Sequence, residues 1–145
     1  MQPSPRFVDN HDGTITDSQT ELTWTREDVW QMENRWVTWD EAKEYAVHLG
    51  HKMFSEQNDW RLPSRKDILS LYDETLENKD KYGNVIHLSP VFPEGPQATV
   101  WCEESSSKDE GYTLDFRTGK IRVLFKSKCP RMSARAVRGK PLPEL

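Results

Sequence analysis

The sequence predicts an α+β fold, and three observations support this prediction. Short β-favouring runs open the chain, two capped amphipathic helices follow, and a clear β-hairpin lies near the end. Strands and helices that are grouped along the chain, instead of alternating, are typical of α+β domains. A length of 145 residues leaves little room for a second domain. We therefore expect one α+β domain.

The composition indicates a folded chain with a highly charged surface. Apolar residues make up only 34%, but six Trp, four Tyr and five Phe are present. Disordered chains are poor in aromatics, and each aromatic side chain buries about 150–250 Å². No run of 18 apolar residues occurs, so we expect no transmembrane helix and no membrane partner. The start of the chain lacks the apolar stretch of a secretory signal, although a signal removed earlier remains an open alternative.

The opening segment predicts three short strands. Phe7-Val8 is separated from Thr14-Ile15-Thr16 by Asn10-His11-Asp12-Gly13, in which Asp and Gly tolerate the positive φ of a hairpin turn. A second turn leads into Leu22-Thr23-Trp24, an alternating run with an aromatic residue.

Two helices are expected from their start signals. Thr38 and Glu41 form the pattern of a capping box, and apolar residues then recur at helical spacing from Trp39 to Leu49. Gly50 stands where a C-terminal cap is expected. Ser64 is the predicted N-cap of the second helix, with Asp67 at the third position. Its expected apolar face comprises Ile68, Leu69, Leu71 and Tyr72.

The second half predicts a long loop followed by strands. Residues 77–97 are rich in Gly, Pro, Asn and Ser, and loops of this length are often functional or mobile. Strands are then expected at 99–102, 112–116, 121–125 and 134–138. Residues 103–110 form a polar loop, and 117–120 form the turn of the clearest hairpin.

The charge is unevenly distributed along the chain. The net charge is −4, but residues 1–116 carry −12 and residues 117–145 carry +8. Arg binds sulfate, phosphate and carboxylate through its planar fork, so a polyanionic partner is one interpretation and an ordinary solvated surface is the other. The candidate ligand-binding residues are Arg117, Lys120, Arg122, Lys126, Lys128 and Arg131. Nucleic acid is not expected, because the acidic body would repel a phosphate backbone.

No catalytic, cofactor or metal motif is found. The nucleophile-elbow, Walker and dinucleotide glycine patterns are absent, and the four histidines are scattered. The first turn resembles a calcium loop only loosely, because Val8 stands where an acid is needed. Cys102 and Cys129 are the only cysteines; a disulfide between them and two reduced thiols both remain open.

Four stretches resemble the Lcl C-terminal domain family, named for the C-terminus of the Legionella collagen-like adhesin. The four stretches are the opening strands from Phe7 to Trp24, Thr38-Trp39-Asp40-Glu41-Ala42, Asp59-Trp60-Arg61-Leu62-Pro63-Ser64, and Ala136-Val137-Arg138-Gly139. The resemblance covers residues 7–139, flanked by an N-terminal extension (1–6) and a C-terminal tail (140–145). Residues 61–64 are also similar to a motif of formylglycine-generating enzymes.

The resemblance implies a C-type-lectin-like fold: two helices on a twisted, mostly antiparallel sheet with long loops. Proteins with this fold commonly bind ligands through loops without catalysis. The resemblance to the adhesin domain implies sulfated polysaccharides as ligands. The enzyme branch uses a close pair of cysteines near the C-terminus, where this chain has only Cys129. We expect Trp39 and Trp60 to lie in the core and Arg61 to pair with a buried carboxylate or backbone oxygens.

Three functional hypotheses follow. The first is a non-catalytic module that binds a polyanionic glycan or an acidic partner through the basic hairpin, without a cofactor. The second is an interaction domain, with residues 30–36 and 77–97 as candidate surfaces. The third is a formylglycine-generating oxidase, retained only for the shared fold. The resemblance favours an exported or cell-surface protein, with a cytoplasmic one as the alternative.

Overall fold

The first sheet brings the two ends of the domain together. The computed structural model describes residues 5–143, and within them this sheet has four antiparallel strands in the order β1-β2-β3-β10. The strands are β1 (Phe7–Asp9), β2 (Thr14–Asp17), β3 (Leu22–Thr25) and β10 (Val137–Arg138). The three predicted N-terminal strands are therefore confirmed. Residues 1–4 of the predicted extension and 144–145 of the predicted tail lie outside the described residues.

The second sheet contains the predicted hairpin. Its order is β8-β7-β6-β9, and only β6 and β9 run parallel. The strands are β6 (Thr99–Ser105), β7 (Glu110–Asp115), β8 (Lys120–Phe125) and β9 (Met132–Ser133). The expected last strand, 134–138, is confirmed only in part, because β10 comprises Val137–Arg138 alone. The chain leaves the second sheet after β9 and enters the first sheet at β10, so this segment joins the two sheets.

Besides a short 3₁₀ helix at Phe54–Glu56, three α-helices are present among the described residues, where two helices were expected. They are α1 (Val29–Glu33), α2 (Trp39–His51) and α3 (Arg65–Leu69), and each begins with a complete capping box. The predicted caps Thr38 and Ser64 are confirmed, since each side chain accepts the backbone N–H three residues on. None of the described helices has the length and apolar character needed to cross a membrane.

The end of α2 differs from the expectation. The helix runs through Gly50 to His51, and Lys52 is its C-cap. Gly50 is required for a different reason, because a Cβ there would come within 2.7 Å of the Asn58 carbonyl oxygen.

The long segment 77–97 is anchored and contains its own hairpin. It forms β4 (Asn78–Lys79) and β5 (Val85–Ile86), which pair antiparallel. The Asn78 amide donates to the Ser89 and Phe92 carbonyl oxygens at 3.1 and 2.8 Å. These bonds and the buried apolar side chains of the segment hold it in a defined conformation.

The core has two clusters. The first joins the two sheets and α3 with Trp24, Ile68, Phe92 and Phe116, and the second joins α2 to the second sheet through Trp60 and Trp101. The prediction for Trp60 is confirmed. Trp39 is only half-buried and packs at the edge of the second cluster, because lysine side chains cover its ring in place of core residues.

Candidate functional site

The structure divides the six predicted basic residues into separate groups. Arg117 and Arg131 line one cavity, although 14 positions separate them. Lys120 and Arg122 lie on β8, and Lys126 and Lys128 follow it. At about 3.3 Å per residue, β8 spans roughly 17 Å, so the two ends of the group do not share one small ligand.

The cavity that contains both arginines lies where segment 77–97 meets the second sheet. Its volume is about 30 Å³. This volume admits about two waters, and therefore a small polar substituent. The lining residues are Asp80, Tyr82, Asn84, Gln97, Ala98, Thr99, Arg117 and Arg131. We call this set the arginine cleft.

Arg131 lies over an exposed aromatic ring. Its guanidinium carbon is 4.5 Å from the centroid of the Tyr82 ring, and no carboxylate within salt-bridge distance of Arg131 is found in residues 5–143. A cation in this position is held by the ring but keeps donors for a ligand.

The backbone of Arg131 is in a conformation that favours glycine. Its φ is 56°, and the Thr99 hydroxyl donates to its carbonyl oxygen at 3.1 Å. Such residues cost on the order of 1 kcal/mol or more and persist where the surroundings enforce them, often at functional sites.

Arg117 is held by its neighbour in the turn after β7. Its Nε and Nη2 donate to the two carboxylate oxygens of Asp115 at 3.1 and 3.0 Å. Burial opposes ionisation of Asp115, but the Arg117 bonds outweigh it and lower the pKa of this carboxyl. The same pairing raises the pKa of Arg117. Arg117 therefore presents a fixed guanidinium whose charge is partly neutralised.

Gln97 supplies a buried amide with unused hydrogen-bonding capacity. It is 1% exposed, and its Nε2 donates to the Tyr82 hydroxyl at 3.3 Å. Its Oε1 has no hydrogen-bond partner among the described residues. Its backbone N–H donates to Asp28 Oδ2 at 2.9 Å, and burial raises the pKa of that carboxyl.

The loop on the far side of the cleft is organised by Asp80. Its Oδ1 accepts the backbone N–H groups of Tyr82 and Asn84, both at 2.9 Å. This arrangement sets the position of the Tyr82 ring. Sequence analysis did not select Asp80, Tyr82, Asn84 or Gln97 individually. The only signal for them was the unusual length of segment 77–97.

Lys126 lies in a different environment, beside α2. Its Nζ is 4.0 Å from the centroid of the Trp39 ring, and Lys43 Nζ is 4.6 Å from it. An open groove of about 430 Å³ runs from this ring along α2, lined by both acidic and basic side chains. Its lining has two carboxylates, Asp40 and Glu44, and one lysine, Lys43, whereas the arginine cleft has two arginines and one carboxylate, so the groove is the weaker candidate for an anion site.

A second polar cavity lies at the first sheet. It measures about 190 Å³ and includes Asn10, Thr14, Thr16 and Arg138. The Asn10 amide donates to both threonine hydroxyls at 2.9 Å, and Arg138 pairs with Asp59. These side chains largely satisfy one another, so the arginine cleft is the better candidate.

Arg135 is not a surface residue, although it belongs to the basic segment. It is 1% exposed, and its Nη1 donates to the Thr25 and Arg26 carbonyl oxygens, both at 2.9 Å. Burial lowers the pKa of this guanidinium, and the nearby charge of Asp28 opposes that effect.

The cysteines and other metal-ligand residues form no site in the part of the chain that the structure describes. Cys102 and Cys129 are both free in this structure; Cys102 packs in the first core cluster and Cys129 against the second. No group of three His, Cys, Asp or Glu among residues 5–143 is arranged to hold a metal ion.

The fold and cleft define a small α+β domain with a small polar cavity lined by two arginines. The family model of the Lcl C-terminal domain matches residues 13–138, which is most of the chain. This protein therefore belongs to the Lcl C-terminal domain family. No match to a curated protein was found.

Proposed function

We propose that this domain is a non-catalytic binding module for acidic glycans, and that the arginine cleft binds a carboxylate or sulfate substituent of the sugar. The observation that carries the proposal is that Arg131 and Arg117, which are distant in the chain, line one cavity together with Gln97. An acidic sugar offers an anion for the two arginines.

The small volume of the cleft is compatible with binding a single charged substituent of a sugar. A cavity of about 30 Å³ is too small for a sugar ring. The ring would lie outside, next to Tyr82, which is 44% exposed. The basic residues along β8 would add long-range attraction for a polyanion.

The proposal includes no cysteine chemistry at Cys102, whose thiol is buried. Burial raises the pKa of Cys102, whereas reactive cysteines have a lowered pKa. The resemblance of residues 61–64 to formylglycine-generating enzymes supports a C-type-lectin-like arrangement of this α+β fold. An experimental structure whose sheets fail to superimpose on a C-type lectin domain would contradict that arrangement.

The test is calorimetric titration with a sulfated heparin disaccharide at about 50 mM salt, where screening is weak. Arg131→Gly removes the guanidinium from a backbone position that favours glycine, so we expect the free energy of unfolding to change by less than about 1 kcal/mol. The variant also loses charge-assisted hydrogen bonds to the ligand, which are worth about 1.5–3 kcal/mol. We therefore expect its affinity for the disaccharide to fall about tenfold or more.

The matched control is Arg122→Gly, which removes the same charge from β8, outside the cleft. We expect less than a threefold loss of affinity from this variant after correction for folded fraction. Equal losses from both variants would show diffuse attraction in place of a site, and no binding by the unmodified protein would reject the proposal.

A further inference from the structure

Strand β8 is an uncovered edge of the second sheet. It pairs with β7 on one side, and no other strand among the described residues pairs with it. An edge of six residues presents free backbone donors and acceptors, which makes it a template for another strand. Lys120 and Arg122 lie on it and are not part of the arginine cleft.

The pairing with β7 determines which backbone groups face outward. Lys126 N–H donates to the Asp109 carbonyl oxygen at 2.9 Å, one position beyond the regular register. Bonded and non-bonded positions alternate in an antiparallel pair. Counting back by twos, the N–H and C=O groups of Leu124 and Arg122 therefore bond to β7.

The odd-numbered residues of β8 consequently direct their backbone groups to solvent. Phe125 agrees with this phase, because its carbonyl oxygen accepts a bond from Lys128 N–H outside the sheet at 3.0 Å. Ile121 and Val123 therefore each offer one outward donor and one outward acceptor.

The exposed side chains of β8 separate by face. Val123 and Phe125 are 45% and 53% exposed and alternate on one face of the strand. Lys120 and Arg122 are exposed on the opposite face. A strand that pairs with β8 would meet apolar side chains on one face and cations on the other.

The positive charge around β8 indicates which kind of strand would pair with it. No Asp or Glu occurs from Phe116 to Pro143, while nine Lys and Arg do. A second copy of β8 would add cations to cations, and like charges across strands are destabilising. We propose that β8 binds an extended acidic peptide segment with apolar residues at alternate positions, which adds a fifth strand to the second sheet. This site is independent of the arginine cleft.

The test uses a fluorescein-labelled peptide of alternating Glu and Val, six residues long, with blocked ends. We expect saturable binding by fluorescence anisotropy at about 50 mM salt. The amide protons of Ile121 and Val123 should exchange quickly in the free protein and at least tenfold more slowly with peptide, because they become ladder donors.

Two variants and one control test the mode of binding. Val123→Pro removes an outward donor without removing a bond to β7, and we expect at least a tenfold loss of affinity. Arg122→Glu should also cost at least tenfold, and it does not depend on tolerance of proline. Lys140→Glu makes the same charge change at a residue that follows β10 of the first sheet. We expect it to lower the affinity for the peptide less than twofold.

Three outcomes would overturn the proposal. The first is peptide binding without protection of the two amides, which indicates surface attraction only. The second is unchanged binding by folded Val123→Pro. The third is concentration-dependent dimerisation that protects the same amides without peptide, since β8 would then pair with a second copy.

Discussion

Asp67 ties three parts of the chain together through one carboxylate. Its Oδ2 accepts Arg61 Nη1 at 2.7 Å and the Ser64 N–H at 3.0 Å, and its Oδ1 accepts the Leu142 N–H at 2.9 Å. Burial alone would raise the pKa of Asp67, but these bonds outweigh it and lower the pKa. The expectation that Arg61 pairs with a buried carboxylate is confirmed.

The Asp67→Asn variant should therefore be strongly destabilised. It leaves Arg61 without its anion, and we expect the free energy of unfolding to fall by about 3 kcal/mol, near the lower end of the range for breaking a buried pair. Urea denaturation at pH 7 measures this loss.

The control for that variant is Asp59→Asn. Asp59 pairs with Arg138, but its side chain is 53% exposed, and exposed pairs contribute about 1 kcal/mol or less. Equal losses from the two variants would contradict the role assigned to Asp67.

At the scale of elements, the β7–β8 turn depends on one glycine. Gly119 has a φ of 76°, and a Cβ there would lie 2.6 Å from the aromatic ring of Tyr72. Both the backbone conformation and the close approach exclude a side chain. The hairpin is thus fixed against the segment after α3.

We expect Gly119→Ala to lower the free energy of unfolding by about 2 kcal/mol or more. The positive φ contributes about 1 kcal/mol, and the displaced Tyr72 ring contributes the rest. Thermal unfolding followed by circular dichroism measures the effect.

Gly83→Ala provides the comparison. Gly83 has a φ of 84°, but a Cβ there meets nothing within 4 Å, so only the conformational cost applies. If both variants lose the same stability, the contact with Tyr72 does not constrain the turn.

Short elements were the hardest to predict. The capping residues Asp28 and Gln31 of α1 are present in the sequence, but its five residues give no helical periodicity to recognise. The strands β9 and β10 are two residues each and are defined by their partners in different sheets. Longer elements with local signals, such as α2 and the β7–β8 hairpin, were predicted.

At the scale of the whole molecule, three ion pairs couple stability to pH. Burial would raise the pKa values of Asp17, Asp67 and Asp115, but hydrogen bonds that include Arg6, Arg61 and Arg117, respectively, lower all three. A carboxyl with a lowered folded pKa stabilises the fold above its unfolded pKa of about 4, and the contribution is lost as pH falls through the folded value.

The free energy of unfolding should therefore decrease as pH is lowered below about 4. Urea denaturation at pH values from 7 to 3 measures the slope. Asp17→Asn removes one of the three groups and should flatten the profile, although it lowers stability at pH 7. A profile of unchanged steepness in that variant would contradict the assignment.

The sequence by itself determined the α+β class, the helix starts at Thr38 and Ser64, and the β7–β8 hairpin. These features depend on hydrogen bonds and side-chain periodicity within a few residues, so they are encoded locally. Tertiary structure alone decided that Asp67 is the partner of Arg61, that Arg135 is buried, and that Tyr82, Gln97, Arg117 and Arg131 share a cleft. Those contacts join residues distant in the chain, and their formation depends on how the two sheets pack.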